Sequence, residues 1–256
     1  MKKSLNFVWI SLLIVWMSGC TSTQQTRPGV QSEFLALNPS LIAAFPPVIM
    51  PHPSESTSLD PAALMTSNLQ SAVETRILSA FKNQPNVNGI SFQTVRTLLK
   101  ASDKLANDID SELKSVGQLA NSGAARETLL LSSECRNRRN FLDFYKFCLL
   151  QSPKWVPLLN RFSTSVQNSD SILIPVITSL EKATEKDIYF VKFGVALLLV
   201  DTNSGRLIWG RDSIVRLDSP AGVKQFSEVT AAVDKTFNES FWAEFPGRRS
   251  KQEQNK

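Results

Sequence analysis

Residues 188–209 read Ile-Tyr-Phe-Val-Lys-Phe-Gly-Val-Ala-Leu-Leu-Leu-Val-Asp-Thr-Asn-Ser-Gly-Arg-Leu-Ile-Trp. Tyr189, Val191, Phe193, Val195, Leu197 and Leu199 alternate, so a strand from Ile188 to Val200 places them on one face. The other face carries Phe190, Ala196 and Leu198 beside Lys192 and Gly194. An apolar run on both faces predicts a strand covered at least partly on both sides. Asp201-Thr202-Asn203-Ser204-Gly205 has the composition of a hairpin turn, with Asp to initiate it and Gly for positive φ. Arg206 to Arg216 is then the returning strand, with Leu207 and Trp209 on one face and Ile208 and Ile214 on the other.

Upstream, Ser171 to Thr178 (SILIPVIT) predicts another strand. Leu41 to Met50 (LIAAFPPVIM) predicts a first strand, interrupted by Pro46-Pro47 and therefore expected at an edge or a bulge. Asp60-Pro61 looks like an N-cap with proline at the first helical position. It precedes a helix whose Leu69, Val73, Ile77 and Phe81 recur every four residues. Gly89 to Val95 alternates as a strand. Residues 100–165 read as an all-helical block. Leu105, Ile109, Leu113, Val116 and Leu119 form one stripe, Leu129 to Leu150 is a second helical stretch, and Trp155 to Phe162 a short third. Downstream, Val223, Phe226, Val229, Val233, Phe237, Phe241 and Phe245 predict a closing helix. The fold class is α/β, a mixed sheet packed with helices and interrupted by a helical insertion at about 100–165.

The amino terminus addresses the compartment. Lys2 and Lys3 precede an apolar run from Phe7 to Met17, broken only by Ser11. This is shorter than the roughly 20 residues of a bilayer-spanning helix and has the order of a secretory signal. It ends in Met17-Ser18-Gly19-Cys20, which resembles the lipobox of bacterial lipoproteins. The resemblance implies a signal peptide over 1–19, diacylglyceryl transfer to the Cys20 thiol, and acylation of the new amino group. Thr21 rather than Asp follows Cys20, which by resemblance to enterobacterial sorting favours the periplasmic face of the outer membrane. An ordinary cleaved signal with an incidental cysteine is the alternative. Residues 20–38 then read as a flexible tether, 39–246 as the domain, and 247–256 as a basic tail.

This division dissolves the charge of the whole chain. The 256 residues carry 28 Lys and Arg against 23 Asp and Glu, a formal +5. Lys2 and Lys3 leave with the signal. Arg248, Arg249, Lys251 and Lys256 against Glu253 place the remaining three in the tail. Cys20 to Gly247 is formally neutral, which argues against nucleic acid as a partner.

The chemistry-bearing residues are few. His52 is the single histidine, so no site built on two histidines fits within one chain, and it lies in a Pro-His-Pro loop. No Gly-x-Ser-x-Gly occurs. Asp108 with Asp110, and Glu181 with Glu185, can be imagined as acid–base pairs, but solvated helix or loop faces account for them more simply. With Cys20 acylated, Cys135 and Cys148 remain. In an oxidising compartment an even remainder suggests a disulfide, with two buried thiols as the alternative. A loop of about a dozen residues gives roughly 3 kcal/mol in the chain-entropy model. No metal ligand set and no cofactor motif is evident. Arg136, Arg138 and Arg139 could contact an anionic partner such as a phospholipid head group or glycan, although a solvated helix start explains them as well. Trp209 and Trp242 could line a sugar site or, at their spacing, belong to the core.

The succession of a lipobox, a strand near 45, a small-residue helix, Gly89 to Arg96, Asp170-Ser171-Ile172-Leu173 and the hairpin Val200 to Trp209 resembles a known group. It comprises the periplasmic domain shared by the curli-secretion lipoprotein CsgG, the lipoprotein activators of penicillin-binding proteins, and the amino-terminal domain of TolB. The resemblance covers about 41–100 and 166–246 and leaves out the helical block. It implies an α/β sandwich that binds envelope partners without catalysis, in a secretion, polysaccharide-export or peptidoglycan-synthesis complex, with homo-oligomers open to it. A subunit of an export channel is one alternative, although the helical block stands where membrane-spanning hairpins would be inserted. A carboxylate-based enzyme acting on glycan or lipid is another.

Overall fold

The computed structural model of the chain describes residues 24–26, 39–50, 67–82, 88–100, 104–121, 141–185, 188–220, 227–243 and 245–246. Seven strands form one mixed sheet: β1 (Gln24–Thr26), β2 (Leu41–Ala44), β3 (Val48–Ile49), β4 (Asn88–Ile90), β5 (Ser171–Glu185), β6 (Ile188–Asp201) and β7 (Leu207–Pro220). The helices are α1 (Ser67–Lys82), α2 (Phe92–Lys100), α3 (Leu105–Asn121), α4 (Phe141–Phe147), α5 (Trp155–Ser165) and α6 (Ser227–Thr236), with a 3₁₀ turn at Leu149–Gln151. The strand order is β1-β7-β6-β5-β2-β4, with β3 also on β5. β2 runs parallel to both β4 and β5, and β3 parallel to β5, whereas β5, β6, β7 and β1 form an antiparallel series.

Both faces of the sheet are covered, as the apolar runs on β6 predict. One face carries Ile172, Ile174, Val176, Ala196, Leu198 and Val200, packed under Leu105, Ile109 and Leu113 of α3, Phe144 and Tyr145 of α4, and Trp155, Leu159 and Phe162 of α5. The opposite face carries Leu173, Ile177, Val195, Leu197 and Leu199, packed under Leu69, Val73, Ile77 and Phe81 of α1 and Val229 and Val233 of α6. The described helices of the block, with Val95 and Leu99 of α2, therefore cover one face of the sheet.

Several expected elements differ in detail. β2 is not an edge strand; it lies between β5 and β4. Pro46-Pro47 divide the first apolar segment into β2 and β3, whose pairing with β5 stops at Leu173 and resumes at Val176. Pro175, which has no N–H to donate, falls in that gap, so prolines on both chains coincide where the ladder needs no donor. The strand expected over Gly89–Val95 ends at Ile90. Ser91 then caps a helix, its Oγ accepting from Thr94 N–H at 3.2 Å, and Phe92, Val95 and Leu99 become the buried face of α2. Capping by a serine side chain outweighs a short alternating pattern here.

The closing helix stops at Thr236. Asn238 accepts from Phe241 N–H through Oδ1 at 3.0 Å and donates through Nδ2 to the Lys235 carbonyl at 3.1 Å. Single i to i+3 turns follow through Phe245, and Phe237, Phe241 and Phe245 stay buried. Arg211, itself buried, donates to the carbonyls of Phe241 and Ala243, both at 3.1 Å, and so fixes this segment to β7. Gln24–Thr26, inside the expected tether, pairs with Ser213–Val215 of β7. The helix start expected at Asp60-Pro61 lies outside the described residues.

β5 runs seven residues past its expected end at Thr178. A bulge between Ile177 and Ser179 absorbs one residue and lets pairing with β6 continue to Glu185 against Ile188. Gly194 sits opposite this bulge. A Cβ there would meet Ser179 Oγ and stand 2.7 Å from Thr178 Oγ1. Gly194→Ala is therefore expected to destabilise the domain by about 1–3 kcal/mol through overpacking, seen as a lower urea midpoint with an unchanged slope. Adding Ser179→Ala to that variant is expected to recover part of the loss.

Candidate functional site

Two of the elements that carry the resemblance, Asp170–Leu173 and the Val200–Trp209 hairpin, meet at one corner of the sheet, where β5 begins and the β6–β7 hairpin turns. Asp201 initiates the turn: its Oδ2 accepts from Ser204 N–H at 2.7 Å and from the Ser204 hydroxyl. Its backbone N–H donates to the Arg206 carbonyl at 2.9 Å, and its carbonyl accepts from Gly205 N–H at 2.9 Å. Gly205 has φ +71°, the left-handed region that this closure requires. Thr202 N–H donates to the Asp170 carbonyl at 3.0 Å, and its hydroxyl lies 2.9 Å from the carbonyls of both Ser169 and Asp170. The turn is thereby bonded to the start of β5.

Asp170 faces the other way. Its carboxylate accepts from Ser40 N–H at 2.7 Å, Ser40 Oγ at 2.8 Å, Leu41 N–H at 3.1 Å and Ser171 Oγ at 3.0 Å. One carboxylate thus satisfies the leading donors of β2 and sets its parallel register against β5. The Asp-x-x-Leu element of the resemblance is a strand clamp, and both aspartates are committed to the fold.

The helical layer enters the same corner. Tyr145 of α4 donates through its hydroxyl to the Gly205 carbonyl at 2.7 Å and accepts from Trp155 Nε1 of α5 at 2.8 Å. Both side chains are fully buried, with rings in edge contact at 6.0 Å. Burial raises the Tyr145 phenol well above the ordinary tyrosine value; the Trp155 N–H opposes this and the Asp201 carboxylate reinforces it. Sequence patterning marks Tyr145 and Trp155 only as apolar helix residues. Their polar atoms are the missed signal, since a buried Tyr hydroxyl and Trp N–H need partners.

The surface of the helical layer carries a groove of about 630 Å³ between α3 and α5, with Asp108, Glu112, Lys154, Pro157, Leu158 and Arg161 among its lining residues. Arg161 stands 3.6 Å from Asp108, and Ser152 Oγ donates to Glu112. A second hollow of about 340 Å³ adjoins it and shares Arg161. The groove joins residues about 45 positions apart and was not visible in local patterns, although Asp108, Ser111, Glu112 and Ser115 have the spacing of one helical face.

The imagined acid–base pairs separate. Asp110 is two residues from Asp108 and therefore on another face; it pairs with Lys114 at 2.6 Å. Glu181 and Glu185 lie on the extended β5 rather than on a helix or loop, Glu181 in register with Lys192 and Glu185 3.3 Å from Arg216. Trp209 and Trp242 stack at 6.0 Å within the core, against Phe241 and Phe245. Cys148 is fully buried. Cys20, His52, Cys135, Arg136, Arg138 and Arg139 lie outside the described residues. Among the described residues no helix is long and apolar enough to cross a membrane, and no cluster of metal-ligating side chains occurs.

No protein-family model matches the chain, and no curated protein sequence matches it. Solved structures do. A lipoprotein of Neisseria meningitidis is similar over 77% of this chain and 95% of its own, with 10% identity and a TM-score of 0.39. The PelC dodecamer of Paraburkholderia phytofirmans is similar over 86% and 99%, with 10% identity and a TM-score of 0.37. A hypothetical protein of Chlamydia trachomatis is similar over 78% and 91%, with 10% identity and a TM-score of 0.37. At such identities residue roles do not transfer between chains.

Tyr145→Phe leaves the Gly205 carbonyl and the Trp155 N–H unpaired in the core and is expected to destabilise the domain by about 2–3 kcal/mol, measured by urea unfolding. The pH dependence has a definite sign. The phenol is held neutral in the fold, so as pH rises through the ordinary tyrosine value only the unfolded chain releases the proton, and stability falls. Tyr145→Phe is expected to flatten that alkaline decline. In an absorbance titration of the native protein, one of the two tyrosines is expected to ionise only on unfolding.

Proposed function

We propose that the chain is a lipid-anchored module on the periplasmic face of the outer membrane, and that its α/β domain binds a component of an envelope complex rather than catalysing a reaction. The observation that carries this reading is the division of labour in the structure. The polar residues of the sheet corner, Asp170, Asp201, Thr202, Ser204 and Tyr145, are engaged in holding the fold. Among the described residues, a groove of about 630 Å³ lies instead on the helical layer, between α3 and α5, in the segment that departs from the CsgG and TolB pattern.

The lining of that groove suits a protein surface. Asp108 and Glu112 offer acceptors, Lys154 and Arg161 offer donors, and Pro153, Pro157 and Leu158 give apolar contact. Mixed charge around a rigid apolar strip favours a partner of complementary pattern over a single small anion or cation. Lys154→Glu combined with Arg161→Glu is expected to abolish co-purification of an envelope component after mild detergent extraction while leaving the unfolding midpoint nearly unchanged. A wild-type protein that brings down no envelope component at all contradicts the reading.

Anchoring follows from Cys20. Several acyl chains hold a protein to a membrane stably, because each buried CH₂ contributes about 0.8 kcal/mol and one chain is marginal. Metabolic labelling with a palmitate analogue is expected to mark the wild-type chain and not Cys20→Ala. In the same preparation, alkylation in denaturant without reductant is expected to leave Cys135 and Cys148 unmodified, as a bridge between them requires and two buried thiols would not.

A further inference from the structure

We propose that the outer end of the β5–β6–β7 ribbon, at Ile188 and Tyr189, is the end of the domain that rests on the membrane holding the Cys20 acyl chains. This rests on the lipidation of Cys20 and adds to it an orientation.

The first observation is β1. Gln24 pairs with Val215 and Thr26 with Ser213, antiparallel. Passing from Thr26 to Gln24, toward the amino terminus, the chain moves along β7 from Ser213 toward Pro220. Cys20 is four Cα steps from Gln24, and each step is at most about 3.8 Å, so the anchor lies within about 15 Å of Gln24 and, one inter-strand spacing of about 5 Å further, within about 20 Å of Val215 in the middle of β7. At about 3.4 Å per residue, Val215 is roughly 17 Å from Pro220 but roughly 34 Å from the turn at Gly205. Of the two ends of the ribbon the outer one is nearer to this covalent leash, and β1 runs toward it in the amino-terminal direction.

The second observation is independent of the anchor. Beyond Leu180, β5 turns from buried to exposed between Glu181 and Glu185, and β6, whose Phe190 and Val191 are still buried, becomes exposed at Ile188. Ile188 there is 44% exposed, the one exposed large apolar side chain among the described residues. Tyr189, partly buried, follows it, and it is paired across the sheet with Ser219. An exposed isoleucine beside a tyrosine suits the boundary between headgroups and acyl chains, where an aromatic ring with a polar tip is favoured.

The charges at this end permit the approach. Glu181, Lys182, Glu185, Lys186, Asp187, Lys192, Arg216 and Asp218 balance four against four in the sequence. Arg216 is bonded to Asp218 at 2.7 Å and lies 4.0 Å over the Phe190 ring. A neutral, internally paired end is neither repelled nor strongly attracted by anionic headgroups, so contact is set by the leash and the apolar side chains and depends weakly on salt.

The test uses the full lipidated protein in phosphatidylethanolamine–phosphatidylglycerol vesicles. An environment-sensitive fluorophore is placed at Glu185→Cys, which leaves Ile188 intact, or at Asn203→Cys in the opposite turn, and quenched with doxyl-labelled lipid. Quenching at the first position is expected to exceed that at the second at least about twofold, since proximity to the headgroup region falls off over the length of the strands. Adding Ile188→Ser is expected to reduce that excess. Vesicles that float with bound protein but quench both labels equally overturn the orientation and leave the anchor standing. Protein that fails to float with the vesicles overturns both.

Discussion

The structure depends on the Asp201–Gly205 turn being held from three sides. Asp201 closes it from within, Thr202 ties it to the start of β5, and Tyr145 ties it to the helical layer. Asp170, in the same corner, places β2. Every parallel pairing in the sheet passes through β2 or β3 on β5, and every antiparallel pairing beyond β5 passes through β6. A shift at this corner would move β2 against β5 or β6 against β7, and a one-residue slip in a strand buried on both faces exchanges one packed face for the other. Two carboxylates and one phenol thus specify a register that the interchangeable Leu, Ile and Val side chains around them leave undetermined.

That requirement explains the polarity of the corner. Leu197, Leu198, Leu199 and Val200 would pack acceptably in more than one register, because hydrophobic burial is non-directional. Hydrogen bonds from Ser40 and Leu41 to Asp170 are directional, and a slip would break all of them together. The prolines act by exclusion: Pro46, Pro47 and Pro175 share the interval where β2 has ended and β3 has not begun, so the ladder breaks at one place only.

The elements most legible from the sequence were those whose neighbours are local or whose pattern is long. β6, α1 and α3 follow from periodicity alone, and the hairpin from Asp201 and Gly205. The differences arise where a tertiary or capping interaction overrides pattern. Ser91 converts an apparent strand into α2, Asn238 ends a helix whose apolar spacing runs on to Phe245, and the bulge at Thr178 carries β5 through charged residues that read as a loop. Of the site, the aspartates and glycine of the corner were visible as turn formers. Tyr145 and Trp155 were not, because their roles depend on partners 60 and 10 residues away. The α3–α5 groove was not, because no single segment contains it.

The two ends of the long strands are built for different work. At the corner, side chains are buried, hydrogen bonds are dense, and the helical layer is bonded to the sheet. At the outer end, β5 becomes exposed and ion pairs such as Arg216 with Glu185 join what packing remains around Phe190 and Val191. Exposed pairs of this kind contribute little to stability, so the ribbon end is held mainly by its backbone ladder and by continuity with the buried half. β1 adds to that ladder near the middle of β7, between the two regimes. A pull on the amino terminus therefore meets the edge of β7, through β1, before it reaches Ser40 and the corner that fixes register. An anchor attached there can load the sheet without first breaking the interactions that define it.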